Sequence, residues 1–228
     1  MTTDGAATDA PPPSCPLCGA ANRPFAEAHG RRYRRCDGCL ATVLDPRDRL
    51  AADEERARYA THENDPADAR YRAFLDRLGK PLVDRLPAGA EGLDYGSGPG
   101  PTLSVMLEER GFPTAIWDPF FAPDPAPLER TWDFVTCTET VEHFFEPGFE
   151  FERLFRLLRP GGILAVMTQP LLDDTDFADW WYVRDPTHVT FFRPETFAWI
   201  ESHWNWTLEQ AAPSVFLFRR APPVVETG

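Results

Sequence analysis

From about residue 87 onward, short apolar runs alternate with amphipathic segments. Gly92 to Tyr95, Thr114 to Trp117, Phe134 to Thr138 and Ile163 to Thr168 read as strands, each short and bounded by Gly, Pro or Asp. Helical stripes lie between them. Leu103, Met106 and Leu107 share one face ahead of a stop at Gly111. Phe151, Leu154, Phe155 and Leu158 recur at i, i+3, i+4 and i+7, and Pro160-Gly161-Gly162 is expected to end that helix. A further helix from about Pro194 to His203 leads into Thr207 to Gln210 and Val215 to Arg219, two strand-like runs with a turn at Pro213. This order predicts an α/β fold, a doubly wound Rossmann-like sheet closed by a C-terminal antiparallel hairpin.

Upstream the pattern changes. Residues 47–86 are charged and helical, with Tyr71, Phe74, Leu75, Leu78 and Leu82 on a stripe. Residues 14–46 hold four of the five cysteines, and residues 1–13, rich in Ala, Thr, Asp and Pro, read as a disordered tail. The expected organisation is a tail (1–13), a cysteine module (14–46), a helical linker or lid (47–86) and a main domain (87–228). A length of 228 residues accommodates this. The net charge of −13 argues against broad binding to nucleic acid, although Arg31-Arg32-Tyr33-Arg34-Arg35 forms a local basic patch. No run approaches the ~18 apolar residues of a membrane span, and the first residues lack the features of a signal peptide. A cytoplasmic protein with no membrane partner is expected.

After the first strand comes Asp94-x-Gly96-x-Gly98-x-Gly100, then a helix. Glycines let the chain turn sharply and let a ligand approach the main chain, while the helix start offers free N–H groups. A dinucleotide fingerprint wants glycine where Pro101 stands, and the Gly-Lys-Ser/Thr of a phosphate loop is absent. What remains suits a cofactor with an amino group and no pyrophosphate. Asp118 ends the next strand, about 18 residues past the loop, where it can accept from ribose hydroxyls or simply open the Asp118-Pro119 turn.

Leu93-Asp94-Tyr95-Gly96-Ser97-Gly98-Pro99-Gly100, Asp118, the strand Trp132 to Thr138 and Leu157-Leu158-Arg159-Pro160-Gly161-Gly162 together resemble the successive motifs of class I methyltransferases, across roughly residues 87 to 220. The resemblance implies S-adenosylmethionine as cofactor. Asp94, Gly96, Ser97, Gly98 and Gly100 would face its methionine end, Asp118 its ribose, and Pro119 or Phe120 its adenine, with Thr138 and Glu139 beside it. One departure stands out. Only fourteen Pro-rich residues separate Asp118 from Asp133, so the strand that the family places there is expected to be shortened or lost.

Thr138-Glu139-Thr140-Val141-Glu142-His143 follows the fourth strand, and a second histidine, His188, sits in an aromatic segment running from Trp180 to Phe192. If a helical turn starts near Glu139, then Glu139, Glu142 and His143 point one way. The pattern resembles metal-dependent 2′-O-methyltransferases of small RNAs, and its first half resembles ubiquinone-pathway O-methyltransferases. The resemblance implies that Glu139, Glu142, His143 and His188 hold Mg²⁺, which would lower the pKa of a substrate hydroxyl. The alternative is metal-free acid–base work by His143, His188 and Glu142. Trp181, Tyr182, Arg184 and Asp185 are expected to contact substrate as part of a lid, because buried polar groups among core aromatics must find partners.

Cys15-x-x-Cys18 and Cys36-x-x-Cys39, seventeen residues apart, match a four-cysteine zinc site, closed and therefore structural. Cys137, inside a strand, reads as inert core. An N-terminal zinc module ahead of such a domain resembles some sugar C-methyltransferases and a ribosomal-RNA guanine methyltransferase. The expected reaction is methyl transfer to a hydroxyl of a small molecule. RNA is the alternative acceptor, and a non-catalytic zinc-ribbon adaptor is the alternative class.

Overall fold

A computed structural model describes residues 14–61 and 64–221. The expected tail at 1–13 lies outside the described residues. The chain forms two sheets, and the larger has six strands ordered β5-β4-β6-β7-β10-β9. Its parallel part is β4 (Gly92–Tyr95), β5 (Thr114–Trp117), β6 (Trp132–Thr138) and β7 (Leu158–Met167). The terminal hairpin β9 (Trp206–Ala212) and β10 (Val215–Arg220) adds antiparallel to β7. The chain reverses its winding between β4 and β6, so the carboxyl ends of those strands open a crevice.

Periodicity sets which helix covers which face. α2 (Ala69–Val83) presents Leu75, Leu78 and Leu82, and α3 (Thr102–Glu108) presents Leu103, Met106 and Leu107, against Phe134, Ile163 and Leu217. α4 (Pro147–Leu157) brings Phe151 and Leu154, and α5 (Pro194–Trp204) brings Phe197 and Ile200, against Val135, Val166 and Phe216 on the other face. Both apolar stripes are thus removed from water, the dominant stabilising contribution for such a layer structure.

The helix expected to run to Leu158 ends at Leu157, and Pro160-Gly161-Gly162 lies inside β7. Trp132 pairs with Leu158 and Phe134 with Ile163, so the extra residues bulge out of the ladder at the free end of the strand. The terminator-like composition marks a bulge here, where missing ladder donors and a positive φ at Gly161 are tolerated. Between Asp118 and β6 the described residues form only an isolated bridge, Asp118 to Ala122, and a single turn at Ala126–Glu129. The expected loss of a strand is therefore seen, and β5 is left as the sheet edge.

The second sheet is ordered β1-β2-β3-β8. The cysteine module supplies β1 (Asn22–Ala28), β2 (Arg31–Cys36) and β3 (Thr42–Leu44), and the late segment supplies β8 (Thr190–Phe191). Its core is continuous with the main one, since Cys15, Leu17, Cys36 and Cys39 pack in the same cluster as Phe144, Phe151 and Phe192. A short helix α1 (Ala52–Tyr59) leads from this module toward the crevice. No helix among the described residues is long and apolar enough to cross a membrane.

Candidate active site

A cavity of about 640 Å³ opens where the carboxyl ends of β4, β5 and β6 meet. Gly96, Ser97 and Gly98 form its floor. Gly96 has φ of 77°, and a Cβ there would stand 2.3 Å from the Thr140 side chain. Only glycine allows both the turn and the close approach. Asp118 binds the loop: its carboxylate accepts from the Gly98 amide at 2.9 Å and from the amides of Phe120 and Phe121 at 2.9 and 3.0 Å. Those bonds occupy three of the roughly four acceptor positions of a carboxylate. The turn-opening role of Asp118 is thus real, and one position remains for a ligand hydroxyl.

Ser97 Oγ, Thr138 Oγ1 and one oxygen of Glu139 are buried with no hydrogen-bond partner among the described residues, and all three residues line the cavity. Unpaired buried polar atoms are rare and costly in a folded protein. Their grouping around a glycine loop fits a polar ligand. Pro119 and Thr138 also line the wall, but Asp94 and Gly100 do not. The alternation of β4 turns the Asp94 side chain away from Tyr95, into the sheet, where Thr136 donates to it at 2.7 Å. Burial pushes its pKa up to about 6. Gly100 is covered by the Asn64 carbonyl, which stands where its Cβ would be.

Glu139 does not begin a helical turn. It sits at φ of 48°, and a single 3₁₀ turn follows at Val141–His143. As a result Glu142, His143 and His188 converge, with donor atoms within 4.8 Å of one another, while Glu139 stays outside that group. The Tyr182 hydroxyl links them: it lies 2.5 Å from Glu142, 3.3 Å from Glu139 and 3.0 Å from Thr168 Oγ1. Burial pushes both glutamates up to about 7, and the charge of Glu139 adds to the rise at Glu142.

Each histidine is oriented by a carbonyl. His143 Nδ1 lies 2.9 Å from the Thr187 carbonyl and His188 Nδ1 2.7 Å from that of Tyr182. A carbonyl can only accept, so each Nδ1 carries the proton and Nε2 is the basic nitrogen. Burial pushes the pKa of His143 down, which keeps the ring neutral near pH 7. The two rings stand 4.8 Å apart, with Tyr59 of α1 edge-on to His143 at 5.2 Å.

The aromatic segment divides. Asp185 and His188 line the cavity, and Trp181, Tyr182 and Arg184 do not. Trp181 to Arg184 is a 3₁₀ turn, whose three-residue period puts residues 181 and 184 on one side. That side is solvent: Trp181 is 60% exposed, while Tyr182 and Val183 point inward. Asp185 is held by Arg58 at 2.7 Å and by Thr187. Burial raises its pKa, but these bonds outweigh that and hold the carboxyl well below its usual range.

Residues not expected at the site complete the wall. Glu55, Tyr59, Tyr71 and Phe74 come from the helical segment 47–86, and Trp117, Phe149 and Glu150 from the opposite side. In the cysteine module the four Sγ atoms also converge, 3.7 Å between Cys15 and Cys39 and 3.3 Å between Cys18 and Cys36. The amides of Gly38 and Cys39 donate to Cys36 Sγ. The basic patch is committed inside the chain. Arg31 binds the carbonyls of Val183 and Asp185, Arg32 pairs with Asp48, Arg34 binds the Asn22 carbonyl, and Arg35 lies over Phe25.

A family model described as a methyltransferase domain matches residues 61–211, two thirds of the chain. The chain belongs to this methyltransferase family. It is an S-adenosylmethionine-dependent methyltransferase with the α/β fold of that class, and residues 14–60, the cysteine module and α1, lie outside the matched region. A comparison with curated proteins finds no match. Among solved structures, a 1,6-didemethyltoxoflavin-N1-methyltransferase from Burkholderia thailandensis, bound to 1,6-didemethyltoxoflavin and S-adenosylhomocysteine, is similar in fold. It is 17% identical with a TM-score of 0.54, over 87% of this chain and 99% of that one. An O-methyltransferase family protein from the same organism is 20% identical with a TM-score of 0.51, over 74% of this chain and 63% of that one.

Proposed function

We propose that this methyltransferase binds S-adenosylmethionine along the glycine loop and methylates a hydroxyl of a small molecule held against His143 and His188. The observation that carries the reading is the set of unpartnered buried atoms of Ser97, Thr138 and Glu139 around Gly96 and Gly98. Glu139 and Thr138 can accept from an ammonium, and Ser97 can donate to a carboxylate, which are the two ends of an amino acid. Asp118 has one acceptor position left for a ribose hydroxyl. S-adenosylmethionine supplies an electrophilic methyl on sulfur, and the protein holds the acceptor oxygen in line with it. Nε2 of His143 takes the hydroxyl proton as the O–C bond forms and the S–C bond breaks. His188, which lines the cavity beside that ring, can hold a polar substrate group, while Glu142, fully buried and outside the lining, sits behind the two rings against Tyr182. Isothermal titration of the full chain with S-adenosylhomocysteine tests the cofactor half, and absence of binding overturns it. Release of S-adenosylhomocysteine across a panel of hydroxylated metabolites tests the acceptor half.

The convergence of Glu142, His143 and His188 supports a second reading, in which these three, without Glu139, hold a divalent cation such as Mg²⁺. Such an ion would acidify the acceptor hydroxyl. With the metal of the cysteine site left in place, turnover raised by added Mg²⁺ favours this reading, and turnover indifferent to added Mg²⁺ favours the base. The four cysteine sulfurs suit structural zinc, since tetrahedral Zn–S bonds of about 2.3 Å put sulfurs roughly 3.8 Å apart. RNA as acceptor gains no support from the arginines of β2, whose guanidinium groups are engaged within the chain.

A further inference from the structure

We infer that the first turn of α4 has replaced the missing strand as the adenine site, with Glu150 accepting from the exocyclic amine and Phe149 and Trp117 forming the apolar wall. The inference rests on the reading of the cavity as a cofactor site. Among the described residues β5 is the sheet edge, and no strand lies outside it beside the crevice. The wall continuous with the Asp118 end instead holds Trp117 and Phe120 from β5 and its turn, and Phe149 and Glu150 from α4. Phe149 is 54% exposed, one of few large apolar side chains left so open, and it stands at the cavity. A flat apolar ligand would cover it and remove that area from water.

The polar half of the site is preorganised. Arg153, one helical turn past Glu150, lies 5.7 Å over the Trp117 ring and 4.7 Å over that of Phe149. It donates to the Tyr95 hydroxyl at 2.8 Å, and Tyr95 donates to Glu150. Both contacts to the Glu150 carboxylate, from Tyr95 and from Arg153 at 3.4 Å, fall on Oε2. Oε1 takes no hydrogen bond from the described residues, and Glu150 lines the cavity. A carboxylate oxygen accepts only. It therefore fits the amino group of adenine and is repelled by the carbonyl of hypoxanthine.

The test is calorimetry of the full chain with S-adenosylhomocysteine and with its inosine analogue. The native protein should bind the adenine form at least about tenfold more tightly, as expected for a bond to a charged acceptor. Glu150→Gln, whose amide can donate to the hypoxanthine carbonyl, should bring the two ligands within about threefold. Phe149→Ala, at an exposed position that leaves the fold intact, should weaken both ligands equally, by about fivefold. Failure of the native protein to bind either ligand overturns the cofactor reading itself. Binding without preference, a preference that survives Glu150→Gln, or unchanged affinity in Phe149→Ala overturns the adenine site while leaving that reading in place.

Discussion

On the glycine-loop side of the cavity the wall comes from three adjacent strand ends, β4, β5 and β6, and a few neighbouring residues on each. The histidine side is assembled from four distant stretches. Arg31 of β2 reaches the Val183 carbonyl at 2.6 Å, Arg58 of α1 pairs with Asp185, the Leu44 amide binds the Val189 carbonyl at 2.8 Å, and the Val189 amide binds the Glu142 carbonyl at 2.8 Å. His188 thus stands on a segment framed by the cysteine module on one side and the His143 turn on the other. The glycine-loop part of the cofactor half is built by local chain geometry at the strand ends, and α4 adds only its far wall. The acceptor half is built by long-range pairing, and the N-terminal module is part of its frame. Perturbations should therefore separate the two.

The largest separation is expected at His143. His143→Ala should lower kcat by about 10²- to 10⁴-fold, the usual contribution of a positioned base, with S-adenosylhomocysteine affinity unchanged within about threefold. The native pH profile sharpens this. Burial lowers the pKa of His143, so the basic, neutral ring persists to lower pH than for a free imidazole, which titrates at about 6.5. Turnover should rise with pH along a limb centred below 6.5 and then stay level to pH 8. A limb centred above 7 would assign the titrating group elsewhere.

Next in size is loss of the cysteine cluster. Cys36→Ser, or removal of metal by a strong chelator, should cost at least about tenfold in turnover and lower the thermal midpoint, because a structural zinc contributes folding energy directly. Metal analysis of the native chain should give about one zinc per chain. Hydrogen exchange should rise first at Thr42–Leu44 and Thr190–Phe191, the paired strands β3 and β8, while β4 stays protected. If β4 opens together with β8, the two halves form one cooperative unit.

Gly96→Ala should act in the opposite sense. The residue would sit at φ of 77° with its Cβ against Thr140, a strain of order 1–3 kcal/mol. Affinity for S-adenosylhomocysteine should fall by about five- to a hundredfold as the loop shifts to relieve it. The acceptor KM should change little.

The same division governs what was legible in the sequence. Gly96, Gly98 and Asp118 are readable because a strand, a glycine loop and the next strand end lie within about 25 residues of one another. The two Cys-x-x-Cys pairs are readable because each knuckle is local. Asp94 belongs to the motif but faces Thr136, since strand alternation decides its direction and the motif does not. Tyr59, Phe149 and Glu150 carry no local mark; they become wall residues only when α1 and α4 pack against the crevice. The aromatic run of 180–192 shows that polar groups lie among rings. Which ones face in depends on the three-residue period of the 3₁₀ turn, which left Trp181 and Arg184 outside. The proline-rich gap after Asp118 did announce a missing strand, although nothing in it named α4 as the replacement.

The smallest predicted effect is at Arg58, and it probes the boundary between the halves. Arg58 is about half exposed and Asp185 mostly buried in their ion pair. Pairs with one exposed partner contribute roughly 0.2–1 kcal/mol. Asp185 also accepts from the Thr187 amide and hydroxyl, which hold it without Arg58. Arg58→Ala should therefore raise the acceptor KM by no more than about fivefold. Because screening weakens an exposed pair, the difference from the native enzyme should shrink at high salt. Arg58 ends α1 beside Tyr59, whose ring lies 5.2 Å from His143 and 5.7 Å from Phe120, while Arg58 itself engages the acceptor side through Asp185. A change in S-adenosylhomocysteine affinity comparable to the change in KM would mean that α1 spans both halves. The helical segment would then couple cofactor binding to acceptor binding instead of serving one side.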